Sequence, residues 1–430
     1  MKSFYVLFVL LLFACPVFAD VESPEIDLRQ WGIENPSQIS YVSASVVEGP
    51  EGKKLAIYDL RKQKPQILSV PASQTVSVFK DRIVKKTPLK QAMWLWETTS
   101  LLSSPEQVSA LLGFARRQKI SDIFLQIPFT KNVSGTARQI PEAMRHLNAR
   151  LHEAGIRVHA LDGDPNYALE KNHASVLADI QRIIDYNNSV RLEERFDGVR
   201  YDTEIYLLPA FAGIQKQSYL KQYLALLEAS YAITQKAGIP FGADIPFWYD
   251  ERNNFQEPTA ELEGRPFSEW VIDRVDNVGI MDYRTRALGS DGVVAQALKE
   301  MNYASQVGKE VFVGLETSAL PDETLYDFEK CSDSKNSRVV IQTLAPHKVR
   351  LLWLSVDAKN SLPGSSLYLC ETKRVVVASD KISFQKLTNE NLQSVMQEAV
   401  KAFVSFPAFA GFAIHSYESY RPWLEKQGIR

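Results

Sequence analysis

Asp197-Gly198-Val199-Arg200-Tyr201-Asp202-Thr203-Glu204 reads as a buried strand that ends in two carboxylates spaced two residues apart. Side chains on a strand alternate between faces, so Asp202 and Glu204 point the same way. Two carboxyl groups held side by side do not ionise independently, and one tends to keep its proton. This is the raw material of a general acid with an electrostatic partner. On spacing alone it is equally the pattern of a solvated loop tip.

The surrounding chain decides how that strand is used. From Ala92 onward, strand-like and helix-like stretches alternate. The expected strands are Ala92–Glu97, Asp122–Ile127, Arg157–Leu161, Gly198–Glu204, Pro240–Ile245, Val278–Tyr283, Glu310–Glu316 and Gly411–Ser416. Between them, Val108, Leu111, Leu112 and Ala115 fall at helical spacing within 105–117. The segments 142–153, 174–187, 217–237, 292–307 and 391–406 behave alike. Such units predict an α/β fold, a (β/α)8 TIM barrel. A doubly wound open sheet is the alternative, but no glycine-rich phosphate turn follows an early strand.

Around the barrel, residues 91–430, two further regions stand out. Residues 20–90 hold short strand-like runs at 39–47, 54–58, 66–70 and 75–79, separated by turns such as Gly49-Pro50-Glu51-Gly52. They predict a small N-terminal β-rich accessory segment. Residues from about 320 to 385 form an insertion between the seventh and eighth strands, with apolar runs at 349–356 and 375–378. It reads as a β-containing excursion on the active face.

Residues 1–19 read as a signal peptide. Lys2 precedes the apolar run from Phe4 to Ala14, and Val17-Phe18-Ala19 offers small residues for cleavage before Asp20. Lipoprotein processing at Cys15 is the minor alternative. The apolar run is too short for a membrane span. Both readings give a periplasmic or secreted protein with no stable span after signal removal. Cys331 and Cys370 then remain, and an even pair in an oxidising compartment predicts a disulfide, two free buried thiols being the alternative.

Composition excludes several classes. Lys and Arg number 49 against 51 Asp and Glu, for a net charge of -2. No basic field is available for nucleic acid or an anionic membrane. The 6 histidines are scattered without metal-ligand spacing, so no metal is expected.

In a barrel of this kind, chemistry gathers where the strands end. The first strand offers Trp94, Trp96 and Glu97, and sequence does not decide which tryptophan faces inward. The third gives Asp162 and Asp164, which equally suit helix caps. The fourth gives Arg200, Asp202 and Glu204. The fifth gives Asp244, followed by Trp248 and Tyr249. The sixth gives Tyr283 flanked by Asp282 and Arg284, the seventh Glu316, and the eighth His415, Tyr417 and Glu418. Carboxylates with aromatic faces suit a sugar pocket, since rings stack on pyranose C–H surfaces and carboxyl groups run glycosidic acid chemistry. Trp96, Glu97, Arg200, Asp244, Trp248, Asp282, Arg284, Glu316, His415 and Tyr417 are the candidate substrate-binding residues. Several of these aromatics could equally be core.

Asp197-Gly198-x-x-x-Asp202-x-Glu204 resembles the fourth-strand signature DGxDxDxE of glycoside hydrolase family 18, the chitinase-like barrels, with one fixed position changed. Met281-x-Tyr283 resembles the family's sixth-strand M-x-Y-D motif and falls on the expected strand. The resemblance covers about residues 90–430. It implies that Glu204 protonates the leaving oxygen. It implies that Asp202 orients and stabilises a substrate acetamido group, which acts as nucleophile. It implies that Tyr283 hydrogen-bonds the same group, and that no cofactor is required. The implied partner is an oligosaccharide or polysaccharide.

The chain departs from the pattern in three places. Arg200 replaces the inner Asp, Arg284 replaces the Asp after Tyr283, and the eighth strand offers His415 and Tyr417 in place of the usual Trp. Arg200 beneath Asp202 is expected to favour the ionised carboxylate, as a functional device or as a structural ion pair. Added arginines also hint at an anionic glycan. Two other functions remain open. One is a retaining glycosidase with Glu204 as acid and Glu316 as nucleophile, although Thr203 stands where such barrels carry Asn. The other is a carbohydrate-binding barrel without catalysis.

Overall fold

The structure is a computed structural model describing residues 21–49, 52–60, 88–131, 138–250, 265–332, 337, 339–353 and 367–429. The targeting segment with Cys15, and the runs expected at 66–70 and 75–79, lie outside the described residues. The chain divides into two compact units. One takes the described parts of 1–65 with 206–219 and 320–379. The other takes those of 66–205, 220–319 and 380–430.

The larger unit is a closed barrel of parallel strands. In chain order they are β1 (Lys90–Leu95), β2 (Asp122–Gln126), β3 (Arg157–Asp162), β4 (Gly198–Tyr201), β5 (Phe241–Pro246), β6 (Asn277–Met281), β7 (Glu310–Glu316) and β8 (Phe409–His415). Each pairs with its sequence neighbour, and β8 closes on β1 through Ala413 opposite Ala92. Helices follow the strands, so this is a TIM barrel, as the alternation predicts. Helix Pro105–Arg117 starts with Ser104 accepting from the Gln107 amide and Pro at the first turn, and it buries Leu111, Leu112, Phe114 and Ala115. Helix Val293–Val307 stops at Gly308, whose φ of 73° ends it in the left-handed region.

The lower rim is tied by carboxylates. Asp197 Oδ2 accepts from the Val158 amide at 2.7 Å and contacts His152 Nε2 at 2.8 Å. Asp276 Oδ2 accepts from the Phe241 amide at 2.8 Å in the same way. Each links the start of one strand to its neighbour, and residues at this end of a barrel serve stability.

The barrel interior is unusually polar. Arg200 is 1% exposed, and its guanidinium lies 3.9 Å from the Phe124 ring centroid. Its Nη1 pairs with Asp244 Oδ1 and its Nη2 with Asn277 Oδ1. Two glycines make the room. A Cβ on Gly279 would stand 2.1 Å from Asp244 Oδ1, and one on Gly242 2.5 Å from Asn277 Oδ1. Beside this group, Phe124 packs edge-on against Trp94, His159 and Phe312.

The smaller unit is antiparallel. Tyr41–Gly49 pairs with Gly52–Asp59 on one side and with Glu323–Lys330 on the other. The sheet continues through Leu367–Val377, Val339–Ala345 and Lys348–Trp353. The front segment and the insertion, which read as separate pieces in the sequence, are therefore partners in one sheet. Their shared core includes Leu28, Trp31, Val42, Phe328, Ile341 and Leu351. Cys331 and Cys370 form the expected disulfide.

Candidate active site

Strand β4 stops at Tyr201, three residues earlier than the sequence suggests. The following backbone turns into a short 3-10 helix at Ile205–Leu207, with the Ile205 amide donating to the Thr203 carbonyl at 2.9 Å. The alternation nevertheless persists. Tyr201 faces the outer helices, its hydroxyl on the Val176 carbonyl, while Arg200 faces the interior. Thr203 is buried, and Asp202 and Glu204 are half-buried. Asp202 is held from the next loop: its amide donates to the Asp162 carbonyl at 3.0 Å, and Gly163 passes so close that a Cβ would stand 2.0 Å from the Asp202 carbonyl oxygen.

The structure corrects the expected role of Arg200. Its carboxylate partner is Asp244 on the next strand, not Asp202. Asp202 keeps one buried carboxyl oxygen, Oδ1, without a hydrogen-bond partner. Burial is the main force on this carboxyl. With the charges of Glu204 and Asp244 it outweighs Arg200, and the pKa rises well above the usual carboxylate range. The surroundings of Asp202 thus favour its protonated form, whereas the arginine was expected to favour the ionised one.

Tyr283 lies just beyond β6, its ring centroid 5.8 Å from that of His415. Burial, then the charges of Glu316, Asp202, Glu204 and Asp244, keep its phenol protonated. Glu204 also acts electrostatically on Asp202, Tyr249 and His415. The three residues implied by the resemblance thus share one electrostatic neighbourhood at the carboxyl end of the barrel.

Opposite them, Glu316 ends β7 at 2% exposure. Its Oε1 accepts from the Ser318 amide at 2.6 Å, and its Oε2 meets His415 Nδ1 at 2.8 Å. Burial alone would raise this carboxyl, but the His415 and Ser318 contacts prevail and its pKa falls. His415 Nε2 in turn accepts from the Trp96 indole at 3.2 Å. Trp96 is half-buried, while Trp94 is the inward-packed tryptophan and donates to Asp244 Oδ2 at 3.0 Å. Burial, the largest influence, leaves Asp244 raised despite its Arg200 and Trp94 donors. Glu97 is exposed, and its amide, like that of Trp96, is bound by Glu418 Oε1. Trp248 is half-buried on the 3-10 helix after β5 and packs edge-on against Tyr249.

Three candidates stand elsewhere. Tyr417 begins the last helix, because β8 ends at His415 and the strand parity does not extend to it; its ring meets Phe114 and its hydroxyl accepts from Arg421. Asp282 follows the last residue of β6 and is fully buried, with both carboxyl oxygens unpartnered. Burial lifts its pKa far above the ordinary range. Arg284 turns to Asp291 at 2.6 Å and covers the Phe247 ring. Arg200 is thus paired with a buried carboxylate, Asp244, and Arg284 with a surface one, Asp291.

Asn277 and Phe124 escaped the sequence reading, which named Trp94 without deciding that it faces inward. Their signal was the pair of glycines, Gly242 and Gly279, that flank a large charged residue on neighbouring strands. Among the described residues, no cluster of histidine, cysteine or carboxylate side chains could hold a metal ion.

Neither a family model nor a curated protein matches the chain. Among solved structures, it is similar to a chitinase from Chromobacterium violaceum at 10% identity and a TM-score of 0.40, over 80% of this chain and 99% of that one. The spore cortex-lytic enzyme SleL of Bacillus megaterium aligns at 10% identity and 0.41, over 79% and 73%. A GH18 chitinase from Pseudoalteromonas aurantia aligns at 11% and 0.40, over 79% and 98%.

Proposed function

We propose that this family 18-like barrel is an exported glycoside hydrolase acting on an N-acetylated glycan, with Glu204 as general acid. What supports the reading is the grouping of Glu204, Asp202 and Tyr283 in one electrostatic neighbourhood at the mouth of the barrel, where burial raises the pKa of both Asp202 and Tyr283. The unpartnered Asp202 Oδ1 adds a buried polar atom with no protein ligand.

In the proposed reaction, the acetamido carbonyl oxygen of the substrate attacks the anomeric carbon. The bond to the leaving oxygen breaks as Glu204 supplies its proton. Asp202 and Tyr283 hold the acetamido group in line. Water then opens the cyclic intermediate at the anomeric carbon, giving one proton back to Glu204. No step calls for a metal or organic cofactor. The disulfide supports an oxidising compartment, periplasmic or extracellular. No described helix is long and apolar enough to cross a membrane.

Glu316 is 2% exposed and fixed through both oxygens by the Ser318 amide and His415, which suits a positioning carboxylate better than a nucleophile open to the sugar. The test is a screen of acetylated and non-acetylated oligosaccharides with mass detection of products. Wild type should release fragments from acetylated chains only. Glu204→Gln should fold normally and lose roughly 10²–10⁴-fold in turnover. Undiminished turnover would remove Glu204 from the chemistry. Glycan binding without products from wild type would favour a purely carbohydrate-binding barrel.

A further inference from the structure

Strands β7, β8 and β1 are consecutive neighbours in the barrel wall, with Glu316 directly opposite His415. Their ends carry a directed series of hydrogen bonds. An indole N–H can only donate, so His415 Nε2 must accept from Trp96. The imidazole proton then sits on Nδ1 and is donated to Glu316, whose other oxygen takes the Ser318 amide. Glu418 Oε1 separately holds the Trp96 and Glu97 amides, each at 2.9 Å. One part of the Trp96 ring packs on the interior cluster around Trp94 and Phe312, while the residue as a whole is only half-buried. An aromatic side chain fixed at both its backbone and its indole nitrogen, with surface left open at the carboxyl end of a barrel, is built to present a face.

We infer that Glu316, His415 and Trp96 form a positioning chain that sets the Trp96 indole as a face on which a sugar ring lies. The sugar rests on the glycan-acting reading above; the chain itself does not. Because Nε2 is occupied by the indole, His415 acts through Trp96 and is a positioning residue.

The chain also responds to acid. A proton on Nε2 would set two N–H donors against each other and free the indole. The groups that face His415 are Glu316 on β7, Glu204 beyond β4, Asp244 on β5, Tyr283 beyond β6 and Glu418 on the last helix. Burial disfavours the imidazolium, but Glu316, Glu418 and Glu204 outweigh it and the pKa is raised. The chain is therefore intact above that raised pKa and opens as pH falls through it.

The experiment uses full-length mature protein labelled with ¹⁵N at the tryptophan indoles, with Trp96→Phe assigning the resonance. His415→Phe keeps the ring stacking but not the bridge, whereas His415→Gln can accept from the indole and donate to Glu316. The Trp96 N–H should titrate with pH in wild type and exchange with solvent about tenfold faster in His415→Phe. In His415→Gln it should stay protected and lose its titration. An unchanged signal in His415→Phe, or a wild-type titration in His415→Gln, overturns the chain. In parallel, the affinity for an N-acetylglucosamine oligosaccharide should fall roughly tenfold or more in Trp96→Ala, as for loss of an aromatic anchor. It should fall in His415→Phe and be restored in His415→Gln. Normal affinity in Trp96→Ala overturns the sugar face. Absence of binding by wild type, with the indole behaving as described, defeats the glycan-acting reading and leaves the chain standing.

Discussion

Arg200 occupies the place where the family 18 pattern has an aspartate, and its neighbours explain how a cation is kept in the middle of a barrel. Asp244 and Asn277 each take one end of the guanidinium, Phe124 covers its face, and Gly242 and Gly279 leave space. Removing one partner from such a pair leaves an uncompensated buried charge. Arg200→Met should cost about 3–5 kcal/mol in urea unfolding, and adding Asp244→Leu should recover a large part. Gly279→Ala should cost about 1–3 kcal/mol by crowding Asp244. At this scale the sequence pointed to Asp202 and Glu204 as neighbouring carboxylates but not to the partner of Arg200. Arg200 and Asp202 share a face of one strand, and from spacing alone they look like partners. The true partner comes from the adjacent strand, and cross-strand register is not written in a local motif.

Elements determine how firmly the acid pair is presented. The loop after β3 reaches Asp202 because Gly163 has no side chain to block it. Gly163→Ala should displace Asp202 and reduce turnover far more than it shifts the melting temperature. At the opposite rim, Asp197 belongs to the motif by sequence but works as a tie between strands. Burial opposes its ionisation, yet His152 and the Val158 amide together hold its pKa below the usual value. The hydrogen bond to Asp197 raises His152. The depressed carboxylate contributes stability above its unfolded pKa and loses it as pH falls through the folded one. The raised histidine contributes below its unfolded pKa and loses it as pH rises through the folded one. The tie is therefore strongest between about pH 4 and pH 6.5. Asp197→Asn should lower the urea midpoint most within that window and less at pH 9. Strand order was legible from apolar alternation. The ends of β1, β4 and β6 were not, because Trp96 and Glu97, Asp202 to Glu204, and Asp282 and Tyr283 read as strand although the pairing stops before them.

At the scale of the whole molecule, the chain divides into two compact units, and the sheet of the smaller one joins residues nearly three hundred positions apart, as in Tyr41 opposite Glu329. Nothing in either segment alone signals the other, since pairing at that distance leaves no periodic trace. The disulfide closes a separation of 39 residues inside that unit. A loop of that size corresponds to about 4 kcal/mol of stabilisation in the chain-entropy account. Reduction, or Cys331→Ser with Cys370→Ser, should lower the transition that reports on the smaller unit. Turnover of a short glycan at the barrel mouth should stay unchanged at temperatures below that transition.

The account depends on proton delivery by Glu204, and leaving-group dependence measures that delivery directly. Turnover of Glu204→Gln relative to wild type should be compared on two acetylated glycosides, one with a sugar as leaving group and one with a nitrophenolate, which departs without protonation. The prediction is a loss of roughly 10²–10⁴-fold on the first and a much smaller loss on the second. Equal losses on both, or none on either, would contradict it.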